Sequence, residues 1–133
     1  MKIKINDFWL CEDGQLAPNS LRVNGRRLAQ VAALIRSEAS AVWNRRNTVT
    51  TISFSVVREH DTVREAESYM LEHEVAIPGS GVVTFICYDG GAGESVFYFD
   101  AGALETTEAS QIGCSTEHTY QLIGGRITTE KPT

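Results

Sequence analysis

The stretch from Thr51 to Pro78 limits the possible folds more than any other part of the chain. Ile52, Phe54 and Val56 alternate with Thr51, Ser53 and Ser55, the period of a strand with one buried face. The chain turns polar at Arg58-Glu59-His60-Asp61 and then opens a helix, expected over about residues 62–75. Thr62 stands three residues before Glu65, the spacing at which two side chains satisfy each other's free backbone N–H groups. Pro78-Gly79 ends the unit, because proline cannot continue a helix and disfavours helical geometry in the residue before it. At about 100° per residue, Val63, Ala66, Tyr69, Met70, His73 and Ile77 share one stripe, the expected core face. Leu71 and Val75 fall opposite, where Leu71 is a candidate for contact with a neighbouring chain.

The rest of the chain reads mainly as strands. Lys2-Ile3-Lys4-Ile5 alternates, and its strand is expected to extend into Phe8-Trp9-Leu10. Asn24-Gly25, flanked by Leu21-Arg22-Val23 and Arg26-Arg27-Leu28, predicts a two-residue hairpin, since both positions tolerate positive φ. Residues 28–35 fit a strand that completes this hairpin, and they also fit a helix through Leu28, Val31, Ala32 and Ile35. Residues 37–47 read as an exposed excursion. Gly81–Tyr88 and Ser95–Asp100 are β-branched and aromatic, joined by a glycine-rich turn. Thr106–Gly113 reads as a polar connection before a strand at Ser115–Leu122, and Gly124-Gly125 as a bulge or turn. The resulting fold class is α+β, mainly β: an antiparallel barrel or sandwich with one flanking helix, in a single domain over residues 1–133.

Composition bounds the chemistry. With 42% hydrophobic and 22% charged residues, the chain has the make-up of a globular domain. No apolar run approaches the roughly 20 residues that span a bilayer, and no leader is evident, so a cytoplasmic protein without membrane contact is expected. Three separated cysteines, Cys11, Cys87 and Cys114, argue against a disulfide framework. The net charge of −5 is unevenly spread. Residues 1–64 carry ten Lys/Arg against six Asp/Glu, and residues 65–133 carry two against eleven. Such a chain can bring a basic face against the acidic face of a neighbour.

No reactive constellation stands out. His60, His73 and His118 lack the spacing of a zinc helix, and no cysteine has an evident activating neighbour. His73 reads as a core residue, and His60-Asp61 as turn and cap chemistry. Asp89-Gly90-Gly91-Ala92-Gly93 lacks the Lys-Ser/Thr of a phosphate loop. A non-enzymatic protein without metal or cofactor is therefore expected. Arg26, Arg27, Arg45 and Arg46, with Trp43, form the candidate partner-binding set together with Leu71. A pI near 5.1 disfavours nucleic acid as that partner. Trp9, Trp43, Tyr88 and Tyr98 are candidate walls for a pocket in the alternative reading, a small-ligand or peptide-binding barrel.

The layout resembles small tail-associated structural proteins of bacteriophages and prophages, of the tail-tube or baseplate β-barrel kind. The residues that carry this are Trp43-Asn44-Arg45-Arg46-Asn47, Ser53-Phe54-Ser55-Val56, Glu65-Ala66-Glu67-Ser68-Tyr69 and Tyr120-Gln121-Leu122-Ile123-Gly124-Gly125-Arg126-Ile127. The resemblance implies a barrel or sandwich with one helix, a cyclic homo-oligomer, contacts to other tail-type proteins, and residence in an assembled particle. It also implies a loop reaching the next ring, with residues 37–47 and 88–94 as candidates.

Overall fold

In a computed structural model, residues 1–27, 48–88 and 93–131 are described. They form seven strands and one helix: β1 (Lys2–Ile5), β2 (Phe8–Cys11), β3 (Arg22–Arg27), β4 (Thr48–Glu59), α1 (Val63–Ala76), β5 (Gly81–Tyr88), β6 (Glu94–Ile112) and β7 (Ser115–Thr128). The strands make one antiparallel sheet in the order β2-β1-β5-β6-β7-β4-β3. This is the mainly β, one-helix architecture that the alternation and the capped helix predict. Among the described residues the sheet does not close through its strands, because β2 and β3 stand at opposite ends of the order. It is nevertheless drawn round by the segment after β2. Leu16 bridges Val56 on β4, Ala17 N–H donates to Ser55 O at 2.9 Å, and Val57 N–H donates to Gln15 O at 2.8 Å.

The inner face follows the period of two. Ile3 and Ile5, Val83 and Phe85, and Ile52, Phe54 and Val56 alternate with outward residues and meet Phe99, Ala101, Leu104, Tyr120 and Leu122 in one core. Three irregularities keep the long β6–β7 pair in phase with that core. β7 gains a residue between Gly124 and Ile127, opposite Ala101 and Phe99, so the Gly-Gly signal is a bulge. A Cβ on Gly124 would lie 2.2 Å from Asp100 O, so only glycine fits there. β6 gains Gly102 and Thr107, and the first of these turns Leu104 inward.

Four sequence expectations are corrected. Asn24-Gly25 is not a turn: β3 runs straight through it, pairing Arg22–Arg27 with Ser53–Thr48. Cross-strand pairing along six residues outweighs the local turn preference, and the chain between β3 and β4 lies outside the described residues. Thr106–Gly113 is not a connection, since β6 extends to Ile112 and turns through Gly113 (φ 60) and Cys114 into β7. Its polarity reflects residues that face solvent. Lys2–Leu10 is a hairpin rather than one strand, turning at Asn6 (φ 51) and Asp7. Val63 is 45% exposed rather than in the core. Ala66 and His73, seven residues apart, are almost in line on α1, and Val63 sits about 60° off that line.

The cap forms with a small displacement. Thr62 Oγ1 accepts from Glu65 N–H at 3.1 Å, whereas Glu65 Oε2 accepts from Asp61 N–H at 3.2 Å instead of from Thr62. No helix among the described residues is long and apolar enough to cross a membrane.

Candidate functional site

Beneath α1 lies the most concentrated polar chemistry among the described residues. The inward phase of β4 does not stop at Val56: Thr50, Ile52, Phe54, Val56 and Arg58 all point inward, leaving Arg58 only 6% exposed. The inward phase of β7 likewise places Thr116, His118 and Tyr120 beside it. The Arg58 guanidinium donates to His118 Nδ1 at 3.2 Å, to Tyr120 Oη at 3.1 Å and to Leu10 O. Leu10 is the extra residue of a bulge in β2, between Cys11 opposite Ile3 and Trp9 opposite Lys4. A bulged residue is left out of the ladder, and here the guanidinium takes up its carbonyl. Arg58 also lies over the Tyr69 and Tyr120 rings, at 5.2 and 5.9 Å from their centroids.

Donor and acceptor roles follow from this geometry. A guanidinium only donates, so His118 Nδ1 accepts and the ring proton sits on Nε2. That N–H is buried and unpartnered, as is Thr106 Oγ1. Tyr120 accepts from Arg58 and uses its own proton on His73 Nε2. Burial, then the Arg58 charge, then His118 push the His73 pKa down to about 3. Burial, Arg58 and His60 push that of His118 down to about 4. Burial raises Tyr120, and also Tyr69. The cluster therefore holds one fixed cation and two neutral histidines. His73 is the core histidine expected from the helical stripe. His60 bonds Thr116 Oγ1 at 3.0 Å beside the start of α1.

This cluster is sealed rather than open to substrate. Tyr120 and His118 have no exposed surface, and among the described residues that line the cleft beside α1, His60 and Tyr69 are the ones that touch the group. Among the described residues, no three His, Cys, Asp or Glu side chains are grouped to hold a metal ion.

The surface carries the other candidates. Arg26 and Arg27 lie on β3, which has no strand partner on its outer side among the described residues. Trp43, Arg45 and Arg46 lie outside the described residues. Leu71 is 74% exposed and Val75 89%, on the outer side of α1. A second open edge had no sequence signal. β5 begins opposite Ala101, and Leu104 N–H goes to Gly79 O at 2.8 Å. Beyond that point Glu105–Ile112 is paired on the β7 side alone among the described residues. This edge bears Glu105 and Glu108, and Ile112 at its tip is 81% exposed.

An apolar cleft of about 270 Å³ opens at the other end of the sheet, where β3 and β5 end and β4 and β6 begin. Met1, Leu21, Val23, Ile52, Phe85, Cys87, Phe97 and Ile127 line it. The expected wall residues Trp9, Tyr88 and Tyr98 do not, and Trp43 lies outside the described residues. Trp9 instead sits on the outer face under Lys2 and Lys4, whose Nζ atoms are 5.6 and 5.5 Å from its ring centroid. A scan against family models found no match, and searches of curated proteins and solved structures found none either.

Proposed function

We propose that this chain is a non-enzymatic structural subunit of the bacteriophage or prophage tail type, and that it assembles with copies of itself. The observation that carries this reading is the acidic, singly paired edge Glu105–Ile112, set against the arginine-bearing strand β3 at the far end of the sheet order. Unpaired edges are a liability in a monomer, and pairing between subunits removes it. Opposite charge on the two edges favours head-to-tail contact, the mode that builds rings. Leu71 and Val75, one turn apart on the outer side of α1, add an exposed apolar patch. The sealed polar cluster supports a scaffold role over catalysis.

Light scattering after size exclusion, at 50 mM to 1 M salt, tests the proposal. The expected result is an oligomer whose mass falls as salt screens the edges. Glu105→Lys with Glu108→Lys should weaken it at low salt, and Leu71→Lys should weaken it at every salt. A monomer at high concentration, insensitive to salt, would refute the assembly reading. A second reading, an apolar-ligand binder, rests on the 270 Å³ cleft, which is smaller than the usual range of about 300–1,000 Å³ for ligand pockets.

A further inference from the structure

The helix is held to the sheet by few apolar anchors. Only Ala66 and His73 of α1 are fully buried, with Tyr69 and Met70 half-covered. What fixes the helix laterally is His73, bonded to Tyr120 and set against His118 with ring centroids 4.7 Å apart. Beneath both rings lies Arg58, and among the described residues no carboxylate forms an ion pair with it or with either histidine. His60, just past the end of β4, is a third imidazole ring, 4.9 Å from Tyr69 by centroids. The carboxylates whose charge reaches this group are Glu12, felt at Tyr69, and Glu74, felt at Tyr120. Burial pushes up the pKa of the Cys11 thiol, which also feels the Arg58 charge.

We infer that α1 is an acid-released clasp: protonating His73 and His118 against the buried Arg58 guanidinium lifts the helix from the sheet while the strands stay paired. Three cations cannot share this volume without a paired counter-charge, and among the described residues Glu12 and Glu74 act on it only from a distance, with no carboxylate paired to any of the three. The helix is tethered by a backbone bond on either side, His60 N–H to Cys114 O and Leu104 N–H to Gly79 O. It can therefore swing away without unpairing β4, β5 or β7. Release would uncover Tyr120, His118 and Leu104, a surface otherwise closed.

The direction follows from the two protonation states. Docked, burial and the Arg58 charge hold the His73 pKa down to about 3 and that of His118 down to about 4. Detached, His73 leaves Arg58 and returns to its ordinary value of 6.5, while His118, still bonded to Arg58 on the paired strands, rises only by what it regains of solvent. Docking is thus fully supported above about pH 6.5 and is lost progressively as pH falls towards 4. At pH 4 His73 alone favours the detached state on the order of 100-fold more than at neutral pH, and His118 adds to it in the same direction. This inference does not depend on the assembly reading.

Amide hydrogen exchange of the whole chain at pH 7, 5.5 and 4, corrected for intrinsic rates, tests it. The α1 amides should lose protection by 100-fold or more while the β4 and β7 amides retain theirs. His73→Gln with His118→Asn keeps acceptors near Nε2 and Nδ1 but removes the titration, so release in this variant should move down by at least one pH unit. Helix and strands losing protection together would overturn the proposal, as would an unshifted midpoint in the variant. If the variant does not fold, the imidazole titration of the natural chain decides: values near 6.5 for both rings refute the clasp.

Discussion

Tyr120→Phe isolates one atom of the buried network. The ring stays, so the contacts to Phe54 (centroids 5.5 Å apart) and to His118 (6.0 Å) survive, and no large cavity opens. The hydroxyl is lost, and with it the acceptor for Arg58 Nη2 at 3.1 Å and the donor to His73 Nε2. A hydrogen bond to a charged donor contributes about 1.5–3 kcal/mol, and a buried acceptor left alone costs about 1–3 kcal/mol. Arg58 keeps Leu10 O and His118 Nδ1, and the phenol no longer has to be desolvated, which offsets part of the loss. The expected net destabilisation is about 2–4 kcal/mol. Urea unfolding at pH 7.5, followed by far-ultraviolet circular dichroism, should show an unchanged slope and a midpoint lower by about 1–2 M. Repeating the change in a His73→Phe background separates the two bonds, since only the Arg58 contact then remains to be lost. A loss below about 1 kcal/mol in the natural background would refute the network, and equal losses in both backgrounds would refute the His73 bond.

Two further changes test the local geometry. Gly124→Ala drives a methyl to 2.2 Å from Asp100 O and 2.9 Å from Phe99 Cζ, so the β6–β7 bulge must move. Thermal unfolding should show a loss of at least about 2 kcal/mol, and a neutral result would mean that the bulge lies elsewhere. Thr62→Ala removes the acceptor for Glu65 N–H at 3.1 Å and should cost about 1 kcal/mol in the same assay, with Thr62→Ser restoring most of it.

Where the sequence pattern and the three-dimensional packing agree, the reason is periodicity sustained over several residues. Ile52, Phe54 and Val56 define a face, and Thr62 with Glu65 defines a helix start; neither needs a distant partner to be recognised. The failures occur where a partner decides. Asn24-Gly25 favours a turn locally, but six consecutive pairs with β4 hold it straight. Thr106–Gly113 has no hydrophobic alternation, because Thr107 is a bulge and the pairing of β6 with β5 stops at Ala101. Arg58 was within reach of the pattern: it stands two residues beyond Val56, on the same phase, as His118 stands two before Tyr120. A cation and an imidazole at the end of an apolar phase look like the start of a turn. Only the cross-strand pairing of Val56 with His118, and the bulge at Leu10, show why both are inside.

That bulge explains why a buried cation belongs here at all. A hydrophobic residue at position 58 would satisfy volume and avoid desolvation, and such replacements of buried charge are often neutral or stabilising elsewhere. It would do nothing, however, for three fixed polar groups: the out-of-ladder Leu10 carbonyl, His118 Nδ1 and the Tyr120 hydroxyl. These belong to β2 and β7, strands separated by β1, β5 and β6 in the sheet order. The planar guanidinium on β4 reaches both, and through Tyr120 it also reaches His73 on α1. An apolar core would press these elements together without fixing how they sit. Arg58 supplies the directional bonds that hold a sheet left open by its strands, and the same charge makes the helix above it sensitive to acid.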